Sequence, residues 1–318
     1  MSQPLCWILG AGGLLGRALG AGLASSRQHF RLAQPLAWDD PPRLQAQLEA
    51  ACQRFAAQAC AHPRWELCWA AGTGTLHSPE TALLREEAAL AHLLRVLARQ
   101  PALVERPGLV MLASSTGALY GHQTGGLVDE DTPIAPTTAY GHAKARQEAQ
   151  LLQAAASWPG QRLSVLAARL SSLYGTDQAA HKAQGLLTQI ARRTLRHQVV
   201  HIYVPLDTLR DYLFAPDAAA HLRQAMDQLA DQPGALVRIF AAERSTSVAE
   251  LLRTFGHVMH RPPRVVTSVC AASLAYARQV RFRSRLPLAG PTPVRTPLPA
   301  GISALVAAER LRYQQAGP

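Results

Sequence analysis

The sequence of 318 residues is long enough for one large α/β domain or two smaller ones, and its hydrophobic content of 48% excludes an intrinsically disordered chain. The formal net charge of +11 invites a nucleic-acid interpretation, but the arginines are scattered and no zinc-finger spacing or aromatic RNA-binding motif accompanies them. The charge suits an anionic small molecule at least as well, so we expect a small-molecule substrate and no nucleic acid.

No segment has the pattern of a signal peptide or of a membrane span. The opening PLCWILGAGGLLG is apolar, but glycine interrupts it too early for a signal core, and no apolar run reaches the roughly 18 residues of a span. The five cysteines, of which Cys270 is the last, form no CxxC pair and no even framework. We expect reduced thiols, a cytoplasmic location and no membrane association.

Strand and helix patterns alternate along the first 175 residues. An apolar run and a glycine turn lead into a helix on which Leu14, Ala18, Leu19 and Leu23 recur at helical spacing. Two short apolar stretches, HFRLAQ and PLAW, follow as strands with no helix between them. The next elements are the helix DDPPRLQAQLEAACQRFAAQACA, the strand WELCWAAGTG, the helix SPETALLREEAALAHLLRVLARQ, the strand GLVMLASST, the helix TAYGHAKARQEAQLLQAAAS and the strand QRLSVLAARLSSLYG.

Polar residues indicate where two of these helices begin. Asp39 or Asp40 can cap the first, with Pro41 or Pro42 in its first turn. Ser78 gives the capping signal of the second.

The alternation predicts an α/β fold with a doubly wound, Rossmann-like parallel sheet, because several strands are apolar on both faces. Beyond residue 176 the alternation loosens, which predicts a smaller C-terminal α/β substrate lobe. We expect a dinucleotide-binding domain at residues 1–175, with further elements from 195–245, and an interleaved substrate-binding lobe at 176–318.

Glycines lie between the first strand and the first helix, in ILGAGGLLGRALG. The strict G-x-G-x-x-G pattern fails because Leu15 occupies the third position, but a G-x-x-G-x-x-G pattern fits. Such a loop lets a pyrophosphate approach the backbone, and the helix N-terminus offers unpaired N–H groups. A tight turn without a ligand is the alternative. The predicted nucleotide-binding residues are Gly10, Gly12, Gly13, Leu14, Leu15 and Gly16.

The second strand lacks the acidic residue that usually holds the adenosine ribose. HFRLAQPLAW contains no Asp or Glu, and Gln34 stands near the expected position. The loss of the acid, with Arg17 and Arg31 nearby, favours NADP over NAD, because the extra phosphate of NADP would be repelled by a carboxylate. The predicted cofactor is therefore NADP or NAD, with NADP preferred.

Lys144 is one of two lysines, with Lys182, beside thirty arginines, and it follows Tyr140 by four residues on one face of a predicted helix. Tyrosine is a poor base at neutral pH, and a nearby ammonium stabilises its phenolate. A lysine can also bond the ribose hydroxyls of a cofactor, for which the planar fork of arginine is a poor substitute. An ordinary surface Tyr and Lys would give the same pattern.

Hydroxyl side chains end the strand that precedes this helix. Ser114, Ser115 and Thr116 follow GLVMLA, and Thr116 stands 24 residues before Tyr140. A hydroxyl there can hydrogen-bond the substrate oxygen on which Tyr140 acts.

At this point the chain resembles the extended short-chain dehydrogenase/reductases, the NAD(P)-dependent epimerase/dehydratase family. The resemblance spans essentially the whole chain, in the expected order and spacing. The matching motifs are Gly10-x-x-Gly13-x-x-Gly16, AAGTG at 70–74, SSTGALYG at 114–121, Tyr140-x-x-x-Lys144, RLSSLYG at 169–175, Arg210-Asp211-Tyr212 with Asp217, STSVAELL at 245–252 and TPLPAGISALV near the C-terminus.

The resemblance implies an NAD(P)-dependent oxidoreductase or epimerase that acts by hydride transfer on a hydroxyl- or keto-bearing substrate, with nucleotide sugars as one option and a homodimer as the assembly. It implies that Tyr140 is the catalytic acid/base, that Lys144 holds the cofactor and tunes the tyrosine, and that Thr116 is the hydroxyl partner, with Ser114 as runner-up. Further cofactor contacts are implied for Ala70, Ala71, Gly72, Ser114, Tyr140 and Lys144, and substrate contacts for Ser115, Ser172 and Arg210.

Two departures weigh against a nucleotide sugar. Glu86 and Ser172 stand where the family usually has asparagine. Arg210 could instead form a structural salt bridge with Asp211 or Asp217. An arginine cluster could bind an anionic substrate or form a solvated face; it comprises Arg278, Arg281, Arg283 and Arg285. His257 and His260 lack the context of a metal site, so we expect no metal. A non-catalytic NAD(P)-binding sensor on the same fold is the alternative function.

Overall fold

The computed structural model describes residues 3–72, 74–75, 78–121, 126–178, 185–268, 281–291 and 295–315. Thr73, Lys182, Cys270 and Arg278 lie outside these ranges. The strands are β1 (Leu5–Leu9), β2 (Gln28–Phe30), β3 (Trp65–Trp69), β4 (Gly108–Ser115), β5 (Leu127–Val128), β6 (Leu163–Leu170), β7 (Ser172–Tyr174), β8 (Val200–Ile202), β9 (Leu209–Phe214), β10 (Ala235–Phe240), β11 (Ser245–Ser247), β12 (Val265–Thr267) and β13 (Arg281–Phe282). The helices are α1 (Leu14–Leu23), α2 (Pro41–Ala59), α3 (Glu80–Ala98), α4 (Pro101–Val104), α5 (Thr116–Leu119), α6 (Ala139–Ala156), α7 (Leu186–Leu195), α8 (Ala215–Asp231), α9 (Val248–Met259) and α10 (Leu298–Gln315), with a 3-10 turn at Pro159–Gln161.

Six parallel strands form the central sheet in the order β10-β6-β4-β3-β1-β2. Every residue of β3 and β6 is buried, as expected of largely apolar strands covered on both faces. Side chains of α2, α3 and α6 pack on one face of the sheet, and those of α1 and α8 pack on the other. The predicted α/β fold with a doubly wound parallel sheet is confirmed.

The direction of winding changes at β1. The chain moves from β1 to β2 on one side, and then returns to β3, β4, β6 and β10 on the other. Crossovers that leave in opposite directions open a crevice at the carboxyl ends of the strands between them. Gly10 follows β1 and Ala70 follows β3, so the fold brings the glycine loop and residues 70–72 to this crevice.

The segment between β2 and α2 differs from the sequence prediction. Residues 35–38, PLAW, form no strand, and the 19-residue helix α2 connects β2 to β3 directly. Pro35 cannot donate to a β ladder. Trp38 instead packs edge-on against Trp69, with 6.0 Å between the ring centroids.

One of the two predicted helix caps is present. Asp40 caps α2, because its carboxylate accepts a hydrogen bond from the Arg43 backbone N–H at 3.2 Å, and Pro41 and Pro42 occupy the first turn. The prediction for Ser78 is wrong: α3 begins at Glu80 after Pro79, and the Ser78 hydroxyl accepts from the Thr75 N–H at 2.9 Å.

The chain beyond β7 forms a second core and also returns to the main sheet. Apolar residues of α7, α9 and α10 pack with β8 and β9 into a separate cluster, which is the core of the smaller C-terminal α/β lobe. In contrast, α8 packs against α1, and β10 pairs with β6 along its whole length. Among the described residues, no helix is long and apolar enough to cross a membrane.

A charged network is buried where β3 meets α8. Glu66 of β3 has no exposed surface, and its two carboxylate oxygens accept from Arg27 Nε at 2.8 Å and Arg64 Nε at 2.9 Å. Arg27 also donates to Asp227 of α8 at 2.5 Å. Burial disfavours the charged form of Arg27, but the carboxylates of Glu66 and Asp227 outweigh it and raise the pKa of the guanidinium. The network therefore holds β3, the start of β2 and α8 together.

Candidate functional site

The glycine loop is packed directly against its neighbours at two positions and open at a third. Gly10 has a φ of +85°, and a Cβ there would lie 2.5 Å from the Ala70 carbonyl oxygen. A Cβ on Gly16 would lie 2.1 Å from the Gly10 oxygen, so α1 rests on the loop backbone. A Cβ on Gly12 would meet nothing within 4 Å. Gly10 and Gly16 are thus required by the fold, whereas the side of the loop at Gly12 can accept a ligand.

The N-terminus of α1 begins at this loop. Gly13 is the N-cap and provides no side-chain hydrogen bond, while Leu14 and Leu15 form the first turn. The first N–H groups of a helix have no partner within the helix and carry its positive dipole end. The loop and α1 together form the arrangement that binds phosphate groups in other proteins.

A cleft of about 390 Å³ runs from the glycine loop along the carboxyl edge of the sheet. Its charged lining residues are Asp39, Arg85 and Glu86. The other lining residues are Gly10, Gly12, Gly13, Trp38, Pro41, Leu44, Gln45, Leu48, Ala70, Ala71, Gly72, Ala82, Ala88 and Ala89. The structure therefore brings the predicted residues of the glycine loop and of the loop after β3 into one cleft.

Tyr140 lies in the first turn of α6, half-buried. Thr138 caps this helix, because its hydroxyl accepts from the Gly141 N–H at 3.1 Å. A Cβ on Gly141 would lie 2.4 Å from the Ala118 oxygen, so only glycine lets α6 approach α5 this closely. A Cβ on Gly74 would be 3.3 Å from the Tyr140 ring, which places the ring edge against the loop that follows β3.

Lys144 is buried on the same face of α6. Its Nζ lies 5.7 Å from the centroid of the Tyr140 ring. It donates to Gln147 Oε1 at 2.9 Å, to Glu86 Oε1 at 3.2 Å and to the Ala113 carbonyl at 3.4 Å. The structure thus brings the predicted pair together, at the end of β4 and beside the cleft.

The three hydroxyl groups after β4 have different partners. Thr116 is fully buried, and its hydroxyl donates to the Leu170 carbonyl of β6 at 3.2 Å. Ser115 caps α5 by accepting from the Ala118 N–H at 3.3 Å. Ser114 is buried, and its hydroxyl has no hydrogen-bond partner. Because side chains alternate along a strand, Ser114 is directed to the same face of the sheet as α6.

Arg210 and Ser172 are brought together in a small three-stranded sheet of order β11-β9-β7. Ser172 is exposed and pairs in register with Tyr212, two residues after Arg210. Arg210 is partly buried and donates to the Leu209 carbonyl at 2.8 Å.

The acidic residues near Arg210 have partners of their own. The Asp211 carboxylate accepts from the Ser171 hydroxyl at 2.5 Å and from the Ala242 and Arg244 N–H groups, yet burial outweighs these bonds and raises its pKa. Asp217 accepts from the Thr296 N–H and hydroxyl, at 2.6 and 2.8 Å. These contacts account for both carboxylates that the sequence suggested as salt-bridge partners of Arg210.

A second cleft, of about 720 Å³, lies beside β9 and β13. Arg281 and Arg283 line it, whereas Arg285 forms ion pairs with Asp129 and Asp131. The remaining lining residues are Gly126, Leu127, Leu209, Glu243, Ser245 and Phe282. Two members of the predicted arginine cluster are therefore available to an anionic group.

Sequence reasoning missed the position of Asp39 and the contacts of Glu86. Asp39 was considered only as a helix cap, and Glu86 only as a departure from the family. Both residues line the cleft, and Glu86 also contacts Lys144. A paired acidic dipeptide, Glu86-Glu87, on a largely apolar helix was the available signal for the second.

The sequence matches a family model described as the NAD dependent epimerase/dehydratase family over residues 6–239. The matched range begins in β1 and ends in β10, so it covers the whole central sheet. No curated protein sequence matches the chain significantly.

Several solved structures share the fold over almost the full length of the chain. MoeE5 in complex with UDP-glucuronic acid and NAD is 21% identical, covers 98% of this chain and 100% of its own, and has a TM-score of 0.74. UDP-glucose 4-epimerase from Brucella ovis, in complex with NAD, is 17% identical, covers 96% and 98%, and has a TM-score of 0.77. RMD from Pseudomonas aeruginosa, complexed with NADPH, is 17% identical, covers 98% and 100%, and has a TM-score of 0.74. At these identities the likeness establishes the fold.

Proposed function

The chain belongs to the NAD dependent epimerase/dehydratase family, and from that premise we propose that it is an epimerase, dehydratase or reductase of nucleotide sugars in which Tyr140 is the acid/base. The observation that carries this proposal is the half-buried Tyr140 beside the buried Lys144 ammonium, which contacts Glu86 in the lining of the cleft that begins at the glycine loop.

The cleft fits a nicotinamide dinucleotide. The open space at Gly12 and the uncapped N-terminus of α1 suit a pyrophosphate, and the lining of α2 and Trp38 offers an apolar surface for an adenine ring. When bound, the cofactor supplies a hydride acceptor and donor. We propose that it is held by Gly10, Gly12, Gly13, Leu14, Leu15, Gly16, Ala70, Ala71, Gly72, Ser114, Tyr140 and Lys144.

As a phenolate, Tyr140 would accept the proton of a substrate hydroxyl, and it would later return that proton to the product. The Lys144 ammonium would stabilise the phenolate that exists before the first transfer and after the second. A hydroxyl partner must donate to the substrate oxygen. Thr116 has to rotate its hydroxyl away from Leu170 to do so, whereas the hydroxyl of Ser114 is uncommitted. Thr116 is the assignment that the family resemblance implies, and Ser114 is the alternative that needs no rotation.

The substrate class rests on the charged groups beyond the Tyr–Lys pair. We propose that Ser115, Ser172 and Arg210 contact the substrate and that the arginine-lined cleft accepts an anionic portion of it. The MoeE5 structure contains UDP-glucuronic acid, and the Brucella ovis enzyme is named a UDP-glucose 4-epimerase, which supports a nucleoside diphosphate as that portion. We further propose that the protein is a homodimer that pairs through α3 and α6.

Purified protein incubated with NAD or NADP and a panel of nucleotide sugars is expected to convert at least one of them, as followed by NMR spectroscopy and mass spectrometry. An epimerase would exchange stereochemistry without net cofactor reduction, a dehydratase would release water, and a reductase would consume the reduced cofactor. Tight dinucleotide binding without turnover across nucleotide sugars and simple ketones would instead support a sensor.

We also propose that the chain prefers NAD, in place of the NADP preference that the sequence favoured. That preference rested on the lack of an acidic residue near Gln34 and on the nearby Arg17 and Arg31, but the acidic Asp39 lines the cleft. We expect the Asp39 carboxylate to repel the extra phosphate of NADP by about 1–2 kcal/mol, as like charges do near a protein surface. This energy corresponds to about a tenfold change in the dissociation constant of NADP. Asp39→Asn is therefore expected to reduce the ratio of the NADP and NAD dissociation constants by about tenfold, measured by calorimetry.

Asp40→Asn is the matched control, because it removes the neighbouring carboxylate and asparagine still caps α2. We expect it to leave the ratio unchanged. Tighter binding of NADP than NAD by the unmodified protein would contradict the proposal and would direct attention to Arg85 as the partner of the extra phosphate.

A further inference from the structure

Glu86 hydrogen-bonds Lys144, and Gln147 hydrogen-bonds both of them. The Glu86 Oε1 accepts from Lys144 Nζ and from Gln147 Nε2, each at 3.2 Å, while Gln147 Oε1 accepts from the same Nζ at 2.9 Å. The side chains of Lys144 and Glu86 are only 7% and 11% exposed. The three side chains therefore hold one another in a site that is largely shielded from solvent.

Gly72 makes this arrangement possible. Its φ of +136° suits glycine, and a Cβ there would lie 2.6 Å from the Glu86 carboxylate. The absence of a side chain at Gly72 leaves space for the carboxylate between the loop after β3 and the Lys144 ammonium. Glu86 is thus accommodated by the backbone of the cleft and not only by α3.

Two ion pairs join α6 to its neighbouring elements close to this arrangement. From β6, Arg169 binds Glu148 of α6 at 2.7 Å and also donates to the Tyr120 hydroxyl. From α3, Glu87 binds Arg146 through two hydrogen bonds of 2.7 and 2.8 Å.

Of the described groups that hydrogen-bond the Lys144 ammonium, only one is charged. The end of β4 contributes the Ala113 carbonyl and α6 itself contributes the Gln147 side-chain amide, and both of these groups are neutral. Among the described residues that hydrogen-bond Lys144, Glu86 is the one that carries an opposing charge.

We propose that Glu86 is a positioning residue that fixes the Lys144 ammonium and offsets part of its charge, so that Tyr140 experiences a weaker positive field than it would beside an unopposed lysine. This inference rests on the proposed function of Tyr140. The Lys144 ammonium lies 5.7 Å from the centroid of the Tyr140 ring and favours the phenolate. The Glu86 carboxylate lies 3.2 Å from that ammonium and disfavours the phenolate. Because Lys144 and Glu86 are shielded from water, the effect of the carboxylate charge is screened less than it would be at the surface.

Glu86→Gln removes the charge and keeps nearly the same shape. We expect the acidic limb of the pH profile of kcat/KM to move to lower pH by about half a unit to one unit, because the phenolate then faces an unopposed ammonium. A second readout needs no turnover: the ultraviolet absorbance change of tyrosinate, taken as the difference between the protein and the same protein carrying Tyr140→Phe, should move in the same direction.

Glu87→Gln is the matched control, since it neutralises the adjacent carboxylate of α3 but leaves the contacts of Lys144 in place. It should change neither readout. An unmoved profile in Glu86→Gln, with turnover lowered equally at every pH or with thermal stability alone reduced, would overturn the proposal in favour of a purely structural role.

Two further outcomes keep the two proposals separate. A shifted absorbance titration in a protein that converts no substrate would support the role of Glu86 and contradict the proposed function. If Glu86→Gln does not fold, Glu86→Asp retracts the carboxylate by one methylene, and a smaller shift in the same direction is then expected; an absent or reversed shift would overturn the proposal.

Discussion

Replacing Tyr140 with phenylalanine is expected to lower kcat by about 10²–10⁴-fold, which is the usual contribution of a positioned acid/base. The substitution removes one oxygen atom and keeps the ring, whose edge packs against the loop at Gly74. Binding of NAD or NADP should change by less than about threefold, because the glycine loop and Lys144 are untouched. Steady-state kinetics on the converted nucleotide sugar and calorimetric titration of the cofactor measure the two effects separately.

Tyr203→Phe is the control for this substitution, because Tyr203 is 55% exposed and lies in the C-terminal lobe just after β8. Its kinetics should match those of the unmodified protein. Retention of full activity in Tyr140→Phe would rule out the proposed mechanism, and equal losses of activity and of cofactor binding would show that the hydroxyl serves to hold the cofactor and not to transfer the proton.

The second large effect is expected on stability, from Glu66→Gln. The substitution leaves the Arg27 guanidinium, whose side chain is only 4% exposed, with Asp227 as its remaining anionic partner. Breaking a buried ion pair from one side typically costs about 3–5 kcal/mol, because the charge that remains is poorly compensated. We expect a loss of about that size in the free energy of unfolding, measured by urea denaturation.

An exposed ion pair of α9 provides the comparison. Arg244 and Glu250 lie 2.6 Å apart, but their side chains are 62% and 35% exposed. Exposed pairs contribute about 0–1 kcal/mol, so Glu250→Gln should have a small effect. Similar losses of unfolding free energy in the two variants would mean that water reaches Glu66 and that the buried network stabilises the protein no more than an exposed ion pair does.

The parts of the site that could be predicted from the sequence are those set by short-range geometry. A glycine loop between an apolar strand and a helix fixes a turn and a helix N-terminus within ten residues, and the structure has both. Tyr140 and Lys144 are four residues apart, so helical periodicity alone places them on one face. The parallel sheet also followed from local patterns, since strands covered on both faces must be continuously apolar.

The parts that could not be predicted depend on residues distant in sequence. The contact of Lys144 with Glu86 joins α6 to α3, and it exists because the two helices cross the same face of the sheet. Asp39 reaches the cleft because residues 35–38 leave the sheet and α2 begins beside the loop of β1. The prediction of a strand at PLAW failed for the same reason: tertiary packing of Trp38 against Trp69 decided a segment whose local pattern was ambiguous.

The position of β10 has a consequence for how the chain folds during synthesis. β6 leaves the ribosome before its partner β10, which follows only after β7 to α8 have been made. Until then β6 presents a row of unpaired backbone groups, the kind of edge at which chains associate wrongly. The long separation also raises the contact order and slows the final step. A fragment that ends at residue 175 should therefore fail to fold as an autonomous unit, although it contains the glycine loop, Tyr140 and Lys144.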